Sequence, residues 1–297
     1  MNRQLKGAVL TLLGGMCWGM SGSMGQYLFD HEKMDSRWLV PIRLGLAGII
    51  LLAYCFAKSG VKKCLAPWRH KLDRRDLLVY GLLGVSLSQF TYFLTIQLST
   101  AAVGTILQDL SPVMILLYSC VRKKRAPRFN EIAAIIFAIG GVALLTTHGN
   151  FENLSIPVTA LITGVICAVC VSIYNIVPEK LMERYPVLLM QGWAFVMGSA
   201  AFFIIFHPWT YNYVPTTMGY IGIAFVVVVG NVMAFPFYMA GVKCIGPEKG
   251  ILYGFSEPVT AAIISTTMLG SEFTHWDMFG FLSIFIMLVL ISVKRKK

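Results

Sequence analysis

Three ionisable residues of this sequence lie inside long apolar runs: Arg43, Asp109 and Glu257. At the centre of a bilayer each costs about 2.5–3.5 kcal/mol on insertion scales, so charges kept there tend to work. An arginine fork matches both oxygens of a carboxylate. A buried carboxyl can contact a cation or take up and release a proton. Two readings stand for Arg43: a contact with the charged group of a solute, or an ion pair with Asp109 that only locks two helices together. No cation lies at the depth of Glu257, which leaves a solute or a coupling proton as its partner. Pro112 and Pro258 each follow a carboxylate and remove one backbone hydrogen bond, which makes them candidate hinges or fixed kinks. Trp18, Gln89, Tyr92 and Asn231 complete the candidate lining, drawn from a wider set that includes Ser21, Tyr174, Asn175 and Trp193. Such a mixture of aromatic groups and a few polar ones suits a ligand site.

Other chemistries find little support. The five histidines lie outside the deep apolar runs and lack metal-ligand spacing. Cys167 and Cys170 form a C-x-x-C without a second pair, which reads as small apolar residues in a helix. No Gly-rich phosphate loop is present, so coupling to ATP within this chain is not expected. No cofactor and no metal are called for.

The elements that carry these residues follow from hydropathy. The chain has 297 residues, 57% apolar and only 13% charged, with a net charge of +11. Soluble domains carry about 25% charge, so lipid is the implied solvent. The apolar residues fall in membrane-length runs near 7–29, 37–57, 76–98, 101–121, 131–148, 156–178, 187–206, 216–242, 249–270 and 276–293. The expected fold is an all-α integral membrane protein of about ten transmembrane helices. Nucleic acid is rejected as the partner of the positive charge. With ten spans, 22 of the 25 basic residues fall on one face, Lys33 and Arg37 on the other, and Arg43 within. That asymmetry places both termini in the cytoplasm. Short loops and no long leader point to a bacterial inner membrane.

The chain also repeats itself. At an offset of 146, Thr91–Leu107 lies over Phe237–Tyr253. Tyr92 meets Tyr238, Gly104 meets Gly250, Pro112-Val113 meets Pro258-Val259, and Glu131 meets Asp277. The expected domains are residues 1–150 (helices 1–5) and 151–297 (helices 6–10). Five spans per half invert the second half against the first, and two inverted five-helix repeats are a physical recipe for alternating access. Gly15-x-x-x-Gly19 in the first helix is a close-packing signal and does not by itself indicate a homodimer. Asn153-Leu154-Ser155 matches a glycosylation sequon, with chance as its simpler explanation.

On these residues the sequence resembles the EamA-type family of the drug/metabolite transporter superfamily. The matching features are Trp18-Gly19, Arg43, the runs Ala101–Pro112 and Gly246–Pro258, and the turn Leu269-Gly270-Ser271-Glu272 followed by Phe273-Thr274 and Gly280. It departs from the family at Arg122-Lys123-Lys124-Arg125, where a Glu is common, and at Ser271 beside Glu272. The resemblance implies a secondary transporter of amino acids, carboxylates, amines or other metabolites, with a small-molecule substrate and the lipid bilayer as partners. Arg43 inclines the reading toward an amino acid or related carboxylate. Export of cationic amines or drugs is the alternative, drawn by Asp109 and Glu257. A membrane-embedded enzyme or a scaffold ranks below both. Coupling to a proton rests on the two carboxylates alone.

Overall fold

The computed structural model describes residues 3–150 and 155–292, so Asn153 and Leu154 of the sequon and the basic run Lys294–Lys297 lie outside the described residues. Among the described residues every regular element is a helix. The long ones are α1 (Arg3–Asp30), α2 (Ser36–Ser59), α3 (Lys71–Leu98), α4 (Ala101–Arg122), α5 (Phe129–Thr147), α6 (Val158–Ile176), α7 (Val187–Phe206) and α8 (Thr217–Ile245). Then follow α9, in two pieces, Pro247–Gly254 and Ser256–Thr267, and α10 (His275–Ser292).

Eight of these helices are long and apolar enough to cross a membrane: all except α1 and α9. The first has the length, at 28 residues, but its glycines and serines dilute its apolarity. The ninth, expected as one span over 249–270, is not among the eight, and it is broken at Phe255. The cause is Pro258, which has no N–H for the carbonyl of Gly254 and crowds it. Pro112 does the same to Gln108, and α4 is interrupted at Asp109 and Leu110. A further difference lies in α3, which starts at Lys71 rather than 76. Its first turns carry charged residues, which extend the helix into water.

The helices pair in a regular way. The main packings are α2 on α7, α5 on α10, α1 on α8, α3 on α6, α1 on α9 and α4 on α6. Exchanging each helix for the one five places along returns the same set of pairs. Irregularities pair as well: α3 widens to a π-helix over Val79–Ser86, and α8 does so over Val226–Met233. Glu131 accepts from the backbone N–H of Arg128 at 2.6 Å, and Asp277 accepts from that of Thr274 at 2.7 Å. Two carboxylates that align in sequence thus cap the starts of α5 and α10 alike, where a helix dipole favours negative charge.

In α1 the glycines decide how near its neighbour comes. A Cβ at Gly15 would run into the hydroxyl of Ser256, and one at Gly19 into the carbonyl of Glu257. The space lets the second piece of α9 lie against the backbone of α1, and the Ser256 hydroxyl donates to the Leu12 carbonyl at 3.0 Å. Nearer the far end of α1, at the face opposite the N-terminus, Gln26 joins four segments. Its side-chain oxygen accepts from Ala101 N–H and from the Ser265 hydroxyl, both at 2.9 Å, and its amide donates to Ser271 at 2.9 Å. This buried amide ties α1 to the start of α4, the end of α9 and the α9–α10 turn.

Two expectations follow. Gly19→Val forces α1 off α9 and should destabilise the protein by about 1–3 kcal/mol, read as a lower melting temperature in detergent. Gly140→Ala, whose Cβ meets nothing nearer than 4.0 Å, should leave it unchanged. Gln26→Leu leaves buried donors at Ala101 and Ser265 without an acceptor, at about 1–3 kcal/mol. Hydrogen exchange of the first turn of α4 should then accelerate roughly tenfold or more, and unchanged exchange would show that Gln26 does not hold this face together.

Candidate functional site

The interruptions in α4 and α9 meet. Ala101–Gln108 packs against Ser256–Thr267, so the two helices cross where each is broken. A helix that stops inside a membrane leaves backbone groups without partners, and such backbone is tolerated only where it is buried in protein or lines a cavity. Here it lines one. A cavity of about 280 Å³ lies at the crossing, at the lower edge of the roughly 300–1,000 Å³ typical of ligand sites.

Of the residues singled out from sequence, Trp18, Arg43, Gln89, Tyr92, Asp109, Pro112, Asn231 and Glu257 line this cavity. Pro258 is buried in α9 and does not line it. From the wider set, Ser21, Tyr174 and Asn175 join the lining. Trp193 does not. It donates its indole N–H to the Cys64 carbonyl at 3.0 Å and packs edge-on against Trp68, near the face where α1 begins. Nothing in its own sequence neighbourhood separates that anchoring role from a lining role.

Arg43 is 1% exposed. The ion pair with Asp109 considered from the sequence does not form. Two amides and a ring surround the guanidinium instead: it donates to the side-chain oxygen of Gln89 and, at 3.4 Å, to that of Asn231. Its centre lies 3.6 Å from the centroid of Phe93, a cation–π contact that offsets part of the lost hydration. The Nε–H has no hydrogen-bond partner among the described residues. Residues from α3 and α8 therefore hold a charge that α2 delivers, and no carboxylate of the described residues forms an ion pair with it.

Two carboxylates line the same cavity. Glu257, at 8% exposure, accepts long hydrogen bonds from the Tyr92 hydroxyl and the Gln108 amide, both at 3.5 Å. Asp109 sits beside Gln108 at the break, and its Oδ2 is buried without a hydrogen-bond partner. Asp109 lies in the break of α4 and Glu257 in the first turn after the break of α9, and both line the cavity. Gln108, Phe93, Gln191 and Tyr238 are lining residues that sequence reasoning passed over. Tyr238 carried a signal as the repeat-mate of Tyr92, and Gln108 as an amide next to Asp109 before a proline.

The cavity has a direction. Beyond the breaks it is lined by Tyr174 and Asn175 at the end of α6, Gln191 near the start of α7, Ile251 in the first piece of α9 and Ile291 at the end of α10. All five belong to the face where α1 begins. Gln26 and its partners do not line the cavity; they join α1, α4, α9 and the α9–α10 turn toward the opposite face.

Comparison with known proteins agrees with this architecture. The model of the EamA-like transporter family matches residues 5–147 and 158–293. An uncharacterized inner membrane transporter of Salmonella typhimurium, YicL, is 30% identical over 292 residues, covering 98% of this chain and 97% of its own. The uncharacterized transporter YyaM of Bacillus subtilis is 24% identical over 267 residues, covering 86% and 84%. A crystal structure of a protein 15% identical in sequence shares the fold with a TM-score of 0.64, over 96% of this chain and 95% of the other. With two matches of the family model spanning nearly all of its length, the chain belongs to the EamA-like transporter family: it is a multi-pass membrane transporter and not an enzyme.

Proposed function

We propose that this transporter moves a small carboxylate-bearing metabolite, an amino acid in the first instance, across the bacterial inner membrane by alternating access. The moving parts are two inverted five-helix repeats, residues 1–150 and 151–297. Both termini lie in the cytoplasm, so the open side of the cavity is the cytoplasmic one. Support for the membrane comes from YicL, named as an inner membrane transporter. Support for the repeat comes from the helix pairings that survive exchange by five, and from the matching breaks and π-helices.

One observation carries the substrate class. A buried charge needs a counter-charge or full hydrogen bonding. Arg43 has neither: its partners are neutral amides and a ring, and its Nε–H is unpaired. A solute carboxylate supplies what is missing, and the carboxylates of Asp109 and Glu257 across the cavity suit the ammonium of the same solute. Reconstituted in liposomes, the protein should show counterflow of amino acids. Arg43→Ala should cut it roughly 30-fold or more, the equivalent of one charge-assisted contact of about 2 kcal/mol. Arg43→Lys should restore part of it.

A second reading follows from Asp109, whose Oδ2 lacks a partner at the cavity wall. It makes the solute a cationic amine. Under that reading Arg43→Ala leaves counterflow of amines intact while Asp109→Asn abolishes it, an outcome that would overturn the amino-acid assignment.

Glu257 and Asp109 are also the candidate proton carriers. If Glu257 couples transport to a proton, Glu257→Gln should abolish accumulation driven by a pH gradient and leave solute exchange in place. Loss of both would make Glu257 a solute ligand instead.

A further inference from the structure

A second recess lies away from the central cavity, at the face where α1 begins. It opens between the end of α2, the connector 60–70 and the start of α7, and encloses about 360 Å³. Its floor is apolar, formed by Cys55, Cys64, Leu188 and Leu189. The connector that roofs it is pinned in place, because Trp193 donates to the Cys64 carbonyl at 3.0 Å and Trp68 packs on Trp193 with ring centroids 5.3 Å apart. The recess is therefore built into the fold.

Three cations stand at its rim: Lys58, Lys63 and Arg184. Arg184 is committed, since it donates to Asp73 at 3.0 Å while the Tyr185 hydroxyl donates to the other oxygen of Asp73 at 2.7 Å. Lys58 and Lys63 have no carboxylate partner among the described residues. Lys58 ends α2 and donates to the Tyr54 hydroxyl at 3.2 Å, an amphipathic pair of the kind found where hydrocarbon gives way to headgroups. From Lys58 a stripe at four-residue spacing runs back along α2 toward the bilayer centre: Tyr54, Ile50 and Leu46, all exposed. An acyl chain fits along that stripe.

We propose that this recess is a binding site for an anionic phospholipid. The phosphate of its headgroup contacts Lys58 and Lys63, the glycerol region sits over the apolar floor, and one chain follows Tyr54, Ile50 and Leu46. A polar anion gains nothing from such a floor and stripe, whereas a lipid uses charge and hydrocarbon together. The site holds α2, the connector 60–70 and the start of α7 at one edge of the molecule, independently of what the central cavity carries.

The test is native mass spectrometry of the full-length protein in detergent, after incubation with phosphatidylglycerol or with phosphatidylcholine of the same acyl chains. Phosphatidylglycerol should be retained preferentially. A lysine near an anionic headgroup is worth about fivefold in binding, so Lys58→Ala with Lys63→Ala should lower retention roughly 25-fold, to the level of phosphatidylcholine. Ser59→Trp, which fills the recess from an exposed position and keeps every charge, should also remove it. Melting temperatures of the lipid-free variants near that of the parent confirm that they fold. Equal retention of the two lipids, or retention untouched by either variant, overturns the proposal. Displacement of phosphatidylglycerol by millimolar inorganic phosphate also overturns it and makes the site one for free phosphate.

Discussion

Backbone hydrogen bonding is the constraint on which this structure turns. Inside a bilayer no water is present to satisfy a free carbonyl or amide, so a helix interrupted there must bury its break against protein or open it onto a cavity. Pro112 and Pro258 interrupt α4 and α9 at matching positions. The breaks find shelter against each other and against α1 and α6: the Ser172 hydroxyl of α6 donates to the Ser111 carbonyl at 3.1 Å, and the Ser256 hydroxyl of α9 donates to α1. The glycines of α1 and Ser172 of α6 follow from the same need. The cavity is what remains where two broken helices cannot fill the space between them.

Charge placement follows from that geometry. The carboxylates sit at the breaks, Asp109 in the turn itself and Glu257 in the first turn after it. Arg43 comes from an unbroken helix and has its position fixed by amides from two others. A guanidinium held by neutral groups keeps its charge available, whereas one locked to a carboxylate would not. Phe93 beneath it adds attraction without neutralising it. Arg43, Asp109 and Glu257 thus line one cavity without an ion pair between them, a set of charges that a solute carrying both signs would complement.

Much of this was legible in the sequence because membranes impose few solutions. Runs of apolar residues gave the long helices, and rare polar residues within them marked the cavity. Arg43, Gln89, Tyr92 and Asn231 stood out as exceptions to their surroundings, and the structure gathers them. What sequence could not supply was register between helices. It could not tell that Trp193 faces a connector rather than the cavity, or that Asp109 forms no ion pair with Arg43. Gln26 was passed over although it lies two turns beyond Trp18 on the same helical face. Its partners, Ala101, Ser265 and Ser271, are distant in sequence and ordinary in type. The broken α9 shows a different limit. It was read as one apolar run over 249–270, and the position of Pro258 within it sets the interruption at Phe255.

Under the proposed repeat the two halves are not interchangeable, and the difference bears on which side stands open. Gln26 ties α1 to the start of α4, toward the face opposite the N-terminus, by accepting from the N–H of Ala101. At the offset of 146 the residue equivalent to Ala101 is Pro247, which has no N–H to give. The face where α1 begins therefore lacks the donor that a mirror-image seal would use. A seal made on one side and missing a bond on the other biases the pair of end states by about the worth of a net hydrogen bond, roughly 0.5–1.5 kcal/mol. Under the proposed alternating access, that bias would favour the state with the cavity toward the N-terminal face. Solute binding would then have to offset only a small difference for the halves to exchange conformations, which is the energetic regime in which a carrier turns over rather than locks.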